Sequence, residues 1–376
     1  MDTTTTVGDL GLQTPLLLAS GFITETADFF LRAKPFGCAG MVTRSLKKVT
    51  PPERTRVPAP RYAVIDGNSL ICCEWGNENH WTTWRNQGVN LVKNAGGAII
   101  LSLSGRDVDG CCDLVETFDK VGVDAFEINI SCPHSGVISD NLNVDCIHLQ
   151  QLLGRVRSIT TTPIWIKLSY SPFLVPMACE AESLGANAIV CTNSIGPGLL
   201  IDTATAKPKL GIKGGCGGLA GQAIFPIALW CVSQLSQAVT VPIVGCGGIS
   251  SADHVLQMLM AGASAVQLYT TPALQGPRIF STIMKGLQSF FADHAEYNSV
   301  SDLVGIATDQ MAEHRFTSPR PVIIQERCTH CGRCADACPF GAIEKLSDRS
   351  PSIMEGCTSC NFCVGVCPST AIRAVF

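Results

Sequence analysis

Two cysteine runs in the C-terminal part of the sequence have a spacing that suits iron–sulfur clusters. The first run is Cys328-x-x-Cys331-x-x-Cys334-x-x-x-Cys338-Pro, and the second has the same spacing. With this spacing, three cysteines of a run bind one cluster and the fourth binds the other. The sequence therefore predicts two 4Fe–4S clusters. Their predicted ligands are Cys328, Cys331, Cys334 and Cys367 for one cluster, and Cys357, Cys360, Cys363 and Cys338 for the other.

Zinc sites or inert core thiols are the alternative interpretation of these cysteines. Zinc prefers four ligands in spaced pairs, whereas each run here has three close cysteines and then Cys-Pro. Iron–sulfur clusters are therefore the better prediction. Because so short a segment contains little apolar core, we expect its folding to depend on cluster assembly.

Glycine-rich turns at two places could bind a phosphate. Gly245–Asp253 follows the seventh predicted strand and opens a helix, with Ser250 or Ser251 as its N-cap. Gly217–Gly221 precedes another helix, and Thr270 closes the eighth strand. Backbone N–H groups in such turns, together with a helix N-terminus, favour an anion. A flavin is the phosphate-bearing ligand that suits the clusters, because it exchanges one or two electrons.

The segment that follows the fourth predicted strand contains a candidate acid/base. It places Asn129 just before Cys132-Pro133-His134. A thiol whose pKa is set by its surroundings can exchange a proton with a carbon acid. An inert core thiol is the alternative for Cys132, and His134 could equally be a loop-surface residue or a substrate contact.

Lys167 is a candidate for stabilising negative charge on a flavin. It lies at the end of the apolar strand segment Trp165-Ile166-Lys167-Leu168, so an outward surface position is the alternative. An unpaired lysine in such a segment is costly, and we therefore expect a buried anionic partner.

Short apolar runs that alternate with helical segments would position these residues. Eight strand–helix units predict a closed barrel, with a doubly wound open sheet as the alternative. The runs are mostly continuous rather than alternating, as in parallel strands covered on both faces. The predicted strands are Leu16–Ser20, Met41–Leu46, Ala98–Ser104, Ala125–Ser131, Ile164–Ser169, Ala188–Asn193, Pro242–Gly247 and Ala265–Thr270.

Two insertions and a change in composition define the domain organisation. Lys47–Trp75 and Ile195–Gly221 each follow a strand, which places both at the C-terminal rim of the barrel. We predict an α/β protein with a (β/α)₈ TIM barrel over residues 1–298, a connector over 299–325 and a C-terminal bacterial-type ferredoxin domain over 326–376.

Composition limits the classes of partner and compartment. The formal net charge of −4 gives no electrostatic reason to expect nucleic acid or an anionic membrane. No apolar run approaches the ~18–20 residues that span a bilayer. Acidic residues precede the apolar patch at 15–19, unlike a signal peptide, so we expect a cytoplasmic protein. Twenty cysteines without an export signal indicate a reducing compartment, and the clusters suggest sensitivity to oxygen.

Three segments of the barrel resemble one family of enzymes. Asn-x-Ser-Cys-Pro, from Asn129 to Pro133, resembles the catalytic segment of class 1 dihydroorotate dehydrogenases and dihydropyrimidine dehydrogenase. Asn193–Asp202 resembles the class 1 segment after strand six. The glycines of 217–221 and 247–249 resemble the FMN phosphate loops of the family. The resemblance extends to about residue 310, and the fused tail resembles the cluster-bearing end of dihydropyrimidine dehydrogenases.

The resemblance implies FMN as cofactor and assigns catalytic roles. Cys132 would be the general acid/base that exchanges a proton with a substrate carbon. Lys167 would face the N1/O2 edge of the flavin, and Asn129 would bind both substrate and flavin. The implied substrate contacts are Asn193, Ser194, His134 and Arg44. The implied cofactor contacts are Ala19, Ser20, Thr43, Arg44, Asn129, Lys167, Gly221, Gly247, Gly248 and Thr270.

Two departures from the family pattern bear on the substrate. The family usually has lysine after strand two, where this sequence has Arg44, which keeps the charge but not the compact geometry of an ammonium. The pyrimidine-binding asparagine should fall within residues 71–76, but Cys72 or Cys73 occupies its place. Asn77 or Asn79 could replace it only after a shift in register. Loss of a paired amide disfavours a pyrimidine.

Three functions remain open from the sequence. The first is an enzyme that reduces or forms a C=C bond conjugated to a carbonyl in a small, unsaturated cyclic substrate. Its electrons would pass through the clusters to or from ferredoxin or an NAD(P)H-dependent flavoprotein subunit. The second is dihydropyrimidine or dihydroorotate oxidation, and the third is an electron-relay subunit without its own substrate. The resemblance also implies a homodimer or a larger hetero-oligomer.

Overall fold

The computed structural model describes residues 2–48, 59–73, 81–105, 107–130, 142–313, 319–345 and 351–375. It divides into two compact units, Met1–Gln310 and Met311–Phe376. The first unit contains the parallel strands and most helices, and the second contains both cysteine runs.

The strands of the first unit are β1 (Thr5–Val7), β2 (Leu10–Leu12), β3 (Leu16–Leu18), β4 (Gly40–Val42), β5 (Tyr62–Asp66), β6 (Ser69–Cys72), β7 (Ala98–Ser104), β8 (Ala125–Asn129), β9 (Ile164–Leu168), β10 (Ala188–Cys191), β11 (Ile195–Leu199), β12 (Ile201–Asp202), β13 (Lys207–Pro208), β14 (Cys216–Gly221), β15 (Ile243–Cys246) and β16 (Ala263–Leu268). The second unit adds β17 (Val322–Ile323), β18 (Ile343–Glu344), β19 (Ser352–Ile353) and β20 (Ile372–Arg373).

The helices are α1 (Asp28–Ala33), α2 (Trp81–Thr83), α3 (Val89–Asn94), α4 (Val108–Asp119), α5 (Leu142–Ile159), α6 (Leu174–Ser183), α7 (Phe225–Ser236), α8 (Ala252–Met260), α9 (Thr270–Gln275), α10 (Ile279–Asp293), α11 (Thr308–Glu313), α12 (Arg333–Asp336) and α13 (Phe362–Val366). A π-helical turn, Trp84–Gly88, joins α2 to α3. Short 3₁₀ turns lie at Phe22–Thr24, Lys34–Phe36, Gln222–Ile224, Val300–Leu303 and Gln325–Arg327.

Eight parallel strands close into a barrel in the order β10-β15-β16-β3-β4-β7-β8-β9. Closure is seen at β3, which pairs with β16 on one side and β4 on the other. All eight predicted strands are confirmed, and the doubly wound alternative is wrong because the sheet has no edge. The continuous apolar runs have the expected cause, since every residue of β9 is buried between the barrel interior and the helices.

The two predicted insertions pair with each other in a small antiparallel sheet. Its order is β11-β14-β6-β5, so each insertion contributes two strands. Gly218 lies opposite Cys72 in the register between the insertions. A Cβ atom added at Gly217 would lie 2.5 Å from the carbonyl oxygen of Cys72, so only glycine permits this close approach. The sequence predicted the rim position of these insertions but not their pairing.

The second unit is a small structure with an internal repeat. β17 pairs with β20 and β18 with β19, both antiparallel, and a short helix lies within each cysteine run, before its fourth cysteine. The buried core of this unit consists of Cys334, Ile343, Cys363 and Ile372. Two of these four residues are predicted cluster ligands, so the apolar core is as small as the sequence suggested.

Among the described residues, no helix is long and apolar enough to cross a membrane.

Candidate active site and iron–sulfur centres

A large cavity lies where the barrel strands end, with about 1160 Å³ of empty space that includes open solvent. It is lined by residues from all eight strands or the segments that follow them. Eleven of the predicted site residues line it, which are Ala19, Ser20, Arg44, Asn129, Lys167, Asn193, Ser194, Gly221, Gly247, Gly248 and Thr270. Their roles in binding or catalysis remain predictions. Cys132 and His134 lie outside the described residues.

Lys167 supplies a buried cation to this cavity. Its side chain is only 4% exposed, and its Nζ lies 3.5 Å from Oε1 of Glu127, which is fully buried. Gln267 completes the group, because its Nε2 donates to Glu127 Oε2 at 2.8 Å and its Oε1 lies 3.5 Å from Lys167 Nζ. The expected buried anionic partner of Lys167 is therefore Glu127.

The charge of Lys167 is secured by this partner. Burial is the largest influence and lowers the pKa of Lys167. The attraction and hydrogen bond of the Glu127 carboxylate, together with contributions from Cys246 and Cys191, outweigh it, so the pKa lies above its ordinary value. Both contacts of Nζ, at 3.5 Å, are longer than an ordinary charge-assisted hydrogen bond of ~2.7–2.9 Å. The ammonium can therefore also interact with a group in the cavity that Lys167 lines.

An amide pair forms the wall beside the ammonium. Asn129 lies opposite Lys167 in the register of β8 and β9, and its Oδ1 accepts a hydrogen bond from Asn193 Nδ2 at 3.3 Å. Asn129 Nδ2 donates to Ser45 Oγ at 3.3 Å. Asn193 Oδ1 accepts from the backbone N–H of Ser194 at 2.8 Å, which fixes the orientation of that amide. Such a wall can recognise the carbonyl and N–H groups of a small cyclic amide.

The residues after β4 differ in position from what the resemblance implied. Thr43 does not line the cavity, since its hydroxyl accepts a hydrogen bond from the backbone N–H of Ser102 at 3.0 Å. A contact between Thr43 and the cofactor stays a prediction. Arg44 lines the cavity but is buried in an ion pair with Glu25, with 2.8 Å between Nη1 and Oε2. Lys47 also lines the cavity and was missed from the sequence.

The predicted phosphate cradle contains glycines at which any larger residue would be strained. Gly248 has φ +74°, and a Cβ atom there would lie 2.7 Å from the backbone of Phe225. Gly221 has φ +91°, and its Cβ would lie 2.2 Å from the carbonyl oxygen of Asn68. Ser251 is the N-cap of α8, because its Oγ accepts from the N–H of His254 at 3.2 Å. Bare backbone next to a helix N-terminus fits a phosphate group.

Replacing Gly248 with alanine should weaken both the fold and FMN binding. The positive φ and the contact with Phe225 together are expected to cost about 1–3 kcal/mol and to displace the phosphate loop. Urea unfolding measures the stability, and titration of apoprotein with FMN measures the affinity. Gly154→Ala is the matched control, since its Cβ would meet nothing within 4 Å. Equal behaviour of the two variants would contradict this role for Gly248.

The predicted cluster ligands separate into two cavities as the sequence proposed. Cys328, Cys331, Cys334 and Cys367 line one cavity, here named the first cluster site. Cys357, Cys360, Cys363 and Cys338 line the other, the second cluster site. The fourth cysteine of each run thus reaches the cavity of the other run. Backbone N–H groups point at the sulfurs, as Ala342 N to Cys338 Sγ and Ala371 N to Cys367 Sγ, both at 3.3 Å. These features fit 4Fe–4S clusters.

Several residues of the active-site cavity were not identified from the sequence. Gln267, Lys47, Ser45 and Tyr269 line the cavity, and Glu127 is the buried partner of Lys167, which lines it. Glu127 could have been identified from the sequence, because a carboxylate within the apolar run of β8 needs a buried partner. Gln267 could have been identified in the same way, because it is a polar residue within the buried strand β16.

A barrel with a phosphate cradle and a buried ammonium, in one chain with two sets of four thiols, defines an iron–sulfur flavoprotein. Comparison with protein families leads to the same class. A family model described as dihydroorotate dehydrogenase matches residues 3–291. Two models described as 4Fe–4S binding domains match residues 321–344 and 354–370. The chain belongs to the dihydroorotate dehydrogenase family.

Its relatives include archaeal catalytic subunits. The chain is 36% identical over 306 residues to the dihydroorotate dehydrogenase B (NAD(+)) catalytic subunit of Archaeoglobus fulgidus, which covers 81% of this chain and 98% of the relative. The protein of the same name from Methanosarcina mazei is 30% identical over 310 residues, covering 81% and 95%. The one from Thermoplasma acidophilum is 30% identical over 307 residues, covering 81% and 99%.

Membership in this family establishes the general chemistry. The protein is an oxidoreductase that acts on a CH–CH group and uses FMN and two 4Fe–4S clusters.

Proposed function

We propose that this enzyme reduces or forms a C=C bond conjugated to a carbonyl in a small cyclic amide. Electrons would pass between FMN and an external carrier through the two clusters. The observation that supports this most directly is the cavity itself, in which the Lys167 ammonium and the Asn129–Asn193 amide pair line the same space. The ammonium suits a flavin that carries negative charge, and the amides suit a substrate with carbonyl and N–H groups.

Each residue would have a defined task. When bound, FMN supplies exchange of two electrons with an organic substrate and of single electrons with clusters. Lys167 would stabilise negative charge at the flavin edge, held in place by Glu127 and Gln267. Asn129 and Asn193 would orient the substrate. Cys132 would transfer the proton at the substrate carbon, since it follows Asn129 closely in sequence.

Dihydroorotate is the second candidate substrate, because the relatives are named dihydroorotate dehydrogenases. Against it stands Cys72, which lines the cavity in the region where the family has a pyrimidine-binding asparagine. Cys73 is turned away, with its Sγ 3.7 Å from the carbonyl oxygen of Arg61. Without that amide, part of a pyrimidine's hydrogen-bonding edge would be unpaired, which lowers affinity strongly.

The external carrier is proposed to be ferredoxin or an NAD(P)H-dependent flavoprotein subunit. The relatives' name includes both NAD(+) and the words catalytic subunit, which supports a partner that carries electrons. A homodimer or a larger hetero-oligomer remains the prediction from the family resemblance.

An anaerobic spectrum with a panel of substrates tests the proposed function. The panel should contain cyclic amides, enones, dihydrouracil, dihydrothymine and dihydroorotate. We expect a saturated cyclic amide to bleach the flavin band, or its unsaturated partner to reoxidise the reduced protein. Failure of every compound to change the flavin spectrum would remove the support for an enzyme with its own substrate.

The variant Cys72→Asn separates the two substrate candidates. An added amide should supply hydrogen bonds worth about 0.5–1.5 kcal/mol each, so KM for dihydroorotate should fall about tenfold. Steady-state kinetics with each substrate measures the change. Cys73→Ser is the control, because its side chain does not line the cavity. An unchanged KM for dihydroorotate would show that position 72 does not contact the substrate and would remove the argument against dihydroorotate.

A further inference from the structure

The second unit contains an internal repeat whose two halves differ around the cluster sites. The backbone repeats closely, since His330, Gly332 and Gly341 have positive φ, as do the equivalent Ser359, Asn361 and Thr370. The hydrogen bond from Ala342 N to Cys338 Sγ likewise matches that from Ala371 N to Cys367 Sγ. Differences between the halves therefore come from side chains.

The first difference is a hydroxyl at one site and a phenyl ring at the other. Ser369 lines the first cluster site, with its Oγ 3.7 Å from Cys367 Sγ. The equivalent residue at the second cluster site is Phe340, whose side chain is 55% exposed. A hydroxyl that donates to a ligand sulfur stabilises added negative charge on a cluster, whereas a phenyl ring cannot.

The second difference is a cation at one site and a phenyl ring at the other. Arg333 lines the first cluster site, and the equivalent Phe362 lines the second, where it is 56% exposed. A positive charge near a cluster favours its reduced, more negative form. Like the first difference, this one favours reduction of the cluster at the first cluster site.

The third difference concerns Lys345. A Cβ atom at Gly332 would lie 2.6 Å from Lys345 Nζ, so this ammonium occupies the space that the side chain of Asn361 takes in the other half. Lys345 also pairs with Asp336, with 3.4 Å between the charged atoms and both side chains largely exposed. The opposite charges of Lys345 and Asp336 cancel, and solvent screens what remains. Arg333 therefore supplies the net positive charge at the first cluster site.

A cation is also present in the other half. Arg320 donates from Nη2 to the carbonyl oxygen of Glu355 at 3.1 Å, close in sequence to Cys357. Glu355 carries a carboxylate, so these two residues together add no net charge. The backbone N–H of Ser359 donates to Cys357 Sγ at 3.4 Å, which is a dipole rather than a charge. Taken together, these charges and hydrogen bonds still favour added negative charge at the first cluster site over the second.

We propose that the two clusters are not equivalent, and that the one held by Cys328, Cys331, Cys334 and Cys367 has the higher reduction potential because of Arg333 and Ser369. Each cluster gains one electron on reduction, with no bond made or broken. The first electron to enter the second unit then resides at the first cluster site. Arg333 and Ser369 act on the cluster through charge and hydrogen bonding, so the test must measure a potential.

Exchange of the equivalent side chains tests this proposal. An anaerobic titration of the full-length protein with dithionite, followed by low-temperature electron paramagnetic resonance, resolves reduction of each cluster. Arg333→Phe/Ser369→Phe gives the first half the side chains of the second. We expect the reduction potential of the higher-potential step to fall. A tenfold decrease in the ratio of reduced to oxidised cluster corresponds to a fall of ~59 mV for one electron.

The reverse exchange is the matched control. Phe340→Ser/Phe362→Arg should move the lower-potential step up and leave the higher one in place. Iron and sulfide content show that both clusters are still assembled, and each pair of side chains already occurs in the same backbone of the other half. The proposal is overturned if the first exchange moves the lower-potential step, or if neither exchange moves any step.

Discussion

Replacement of Lys167 by methionine should lower kcat/KM by about 10²–10³-fold. That range is typical when one group that stabilises developing charge is removed from a site sheltered from water. Lys167 is suited to this role because the Glu127 carboxylate keeps it charged and it lines the cavity. Stopped-flow reduction of the flavin by substrate under anaerobic conditions measures the effect directly.

Loss of Lys167 will also affect stability, and a second variant separates the two effects. Lys167→Met leaves the buried carboxylate of Glu127 without its cation, which should cost about 3–5 kcal/mol in the free energy of unfolding. Glu127→Gln/Lys167→Met removes both charges and should recover much of that stability. The double variant should still be slow in flavin reduction. Recovery of activity together with stability would show that Lys167 has only a structural role.

Replacement of Cys132 by alanine should abolish turnover of the organic substrate while leaving flavin and clusters bound. Loss of a general acid or base typically costs about 10²–10⁴-fold in rate. Substrate-dependent bleaching of the flavin measures this step. Oxidation of the dithionite-reduced protein by an external carrier measures electron flow that needs no proton transfer at carbon, and this should be unchanged.

This pair of measurements also distinguishes the enzyme from an electron-relay subunit. A relay would show no substrate-dependent bleaching even with Cys132 in place, and Cys132→Ala would leave its electron flow unchanged. Cys179→Ala is the control, since Cys179 is an exposed thiol of the same unit. If Cys132→Ala keeps the full rate of substrate-dependent bleaching, Cys132 is not the acid/base, and another residue has that role.

The barrel could be predicted from the sequence because its signal is local. Most buried parallel strands are continuous apolar runs, and in the case of Ile243–Cys246 a glycine-rich turn follows directly in the chain. The cysteine runs are local in the same sense, since spacing alone separates the eight thiols into two sets. The set of predicted ligands therefore matches the two cavities.

What could not be predicted depends on contacts between distant parts of the chain. Glu127, Lys167 and Gln267 come from three strands, and only the closed barrel brings them together. The pairing of Cys72 with Gly218 depends on a sheet shared by two insertions.

The exchange of fourth ligands between the two cysteine runs sets an order for biosynthesis. Cys367 completes the first cluster site, yet it is translated after all three cysteines of the second run. A nascent chain that has emerged only as far as Cys338 can offer three ligands to one iron–sulfur unit and a single ligand to the other. Neither cubane can therefore be completed before Cys363 has been synthesised, so insertion of both clusters follows synthesis of the entire barrel.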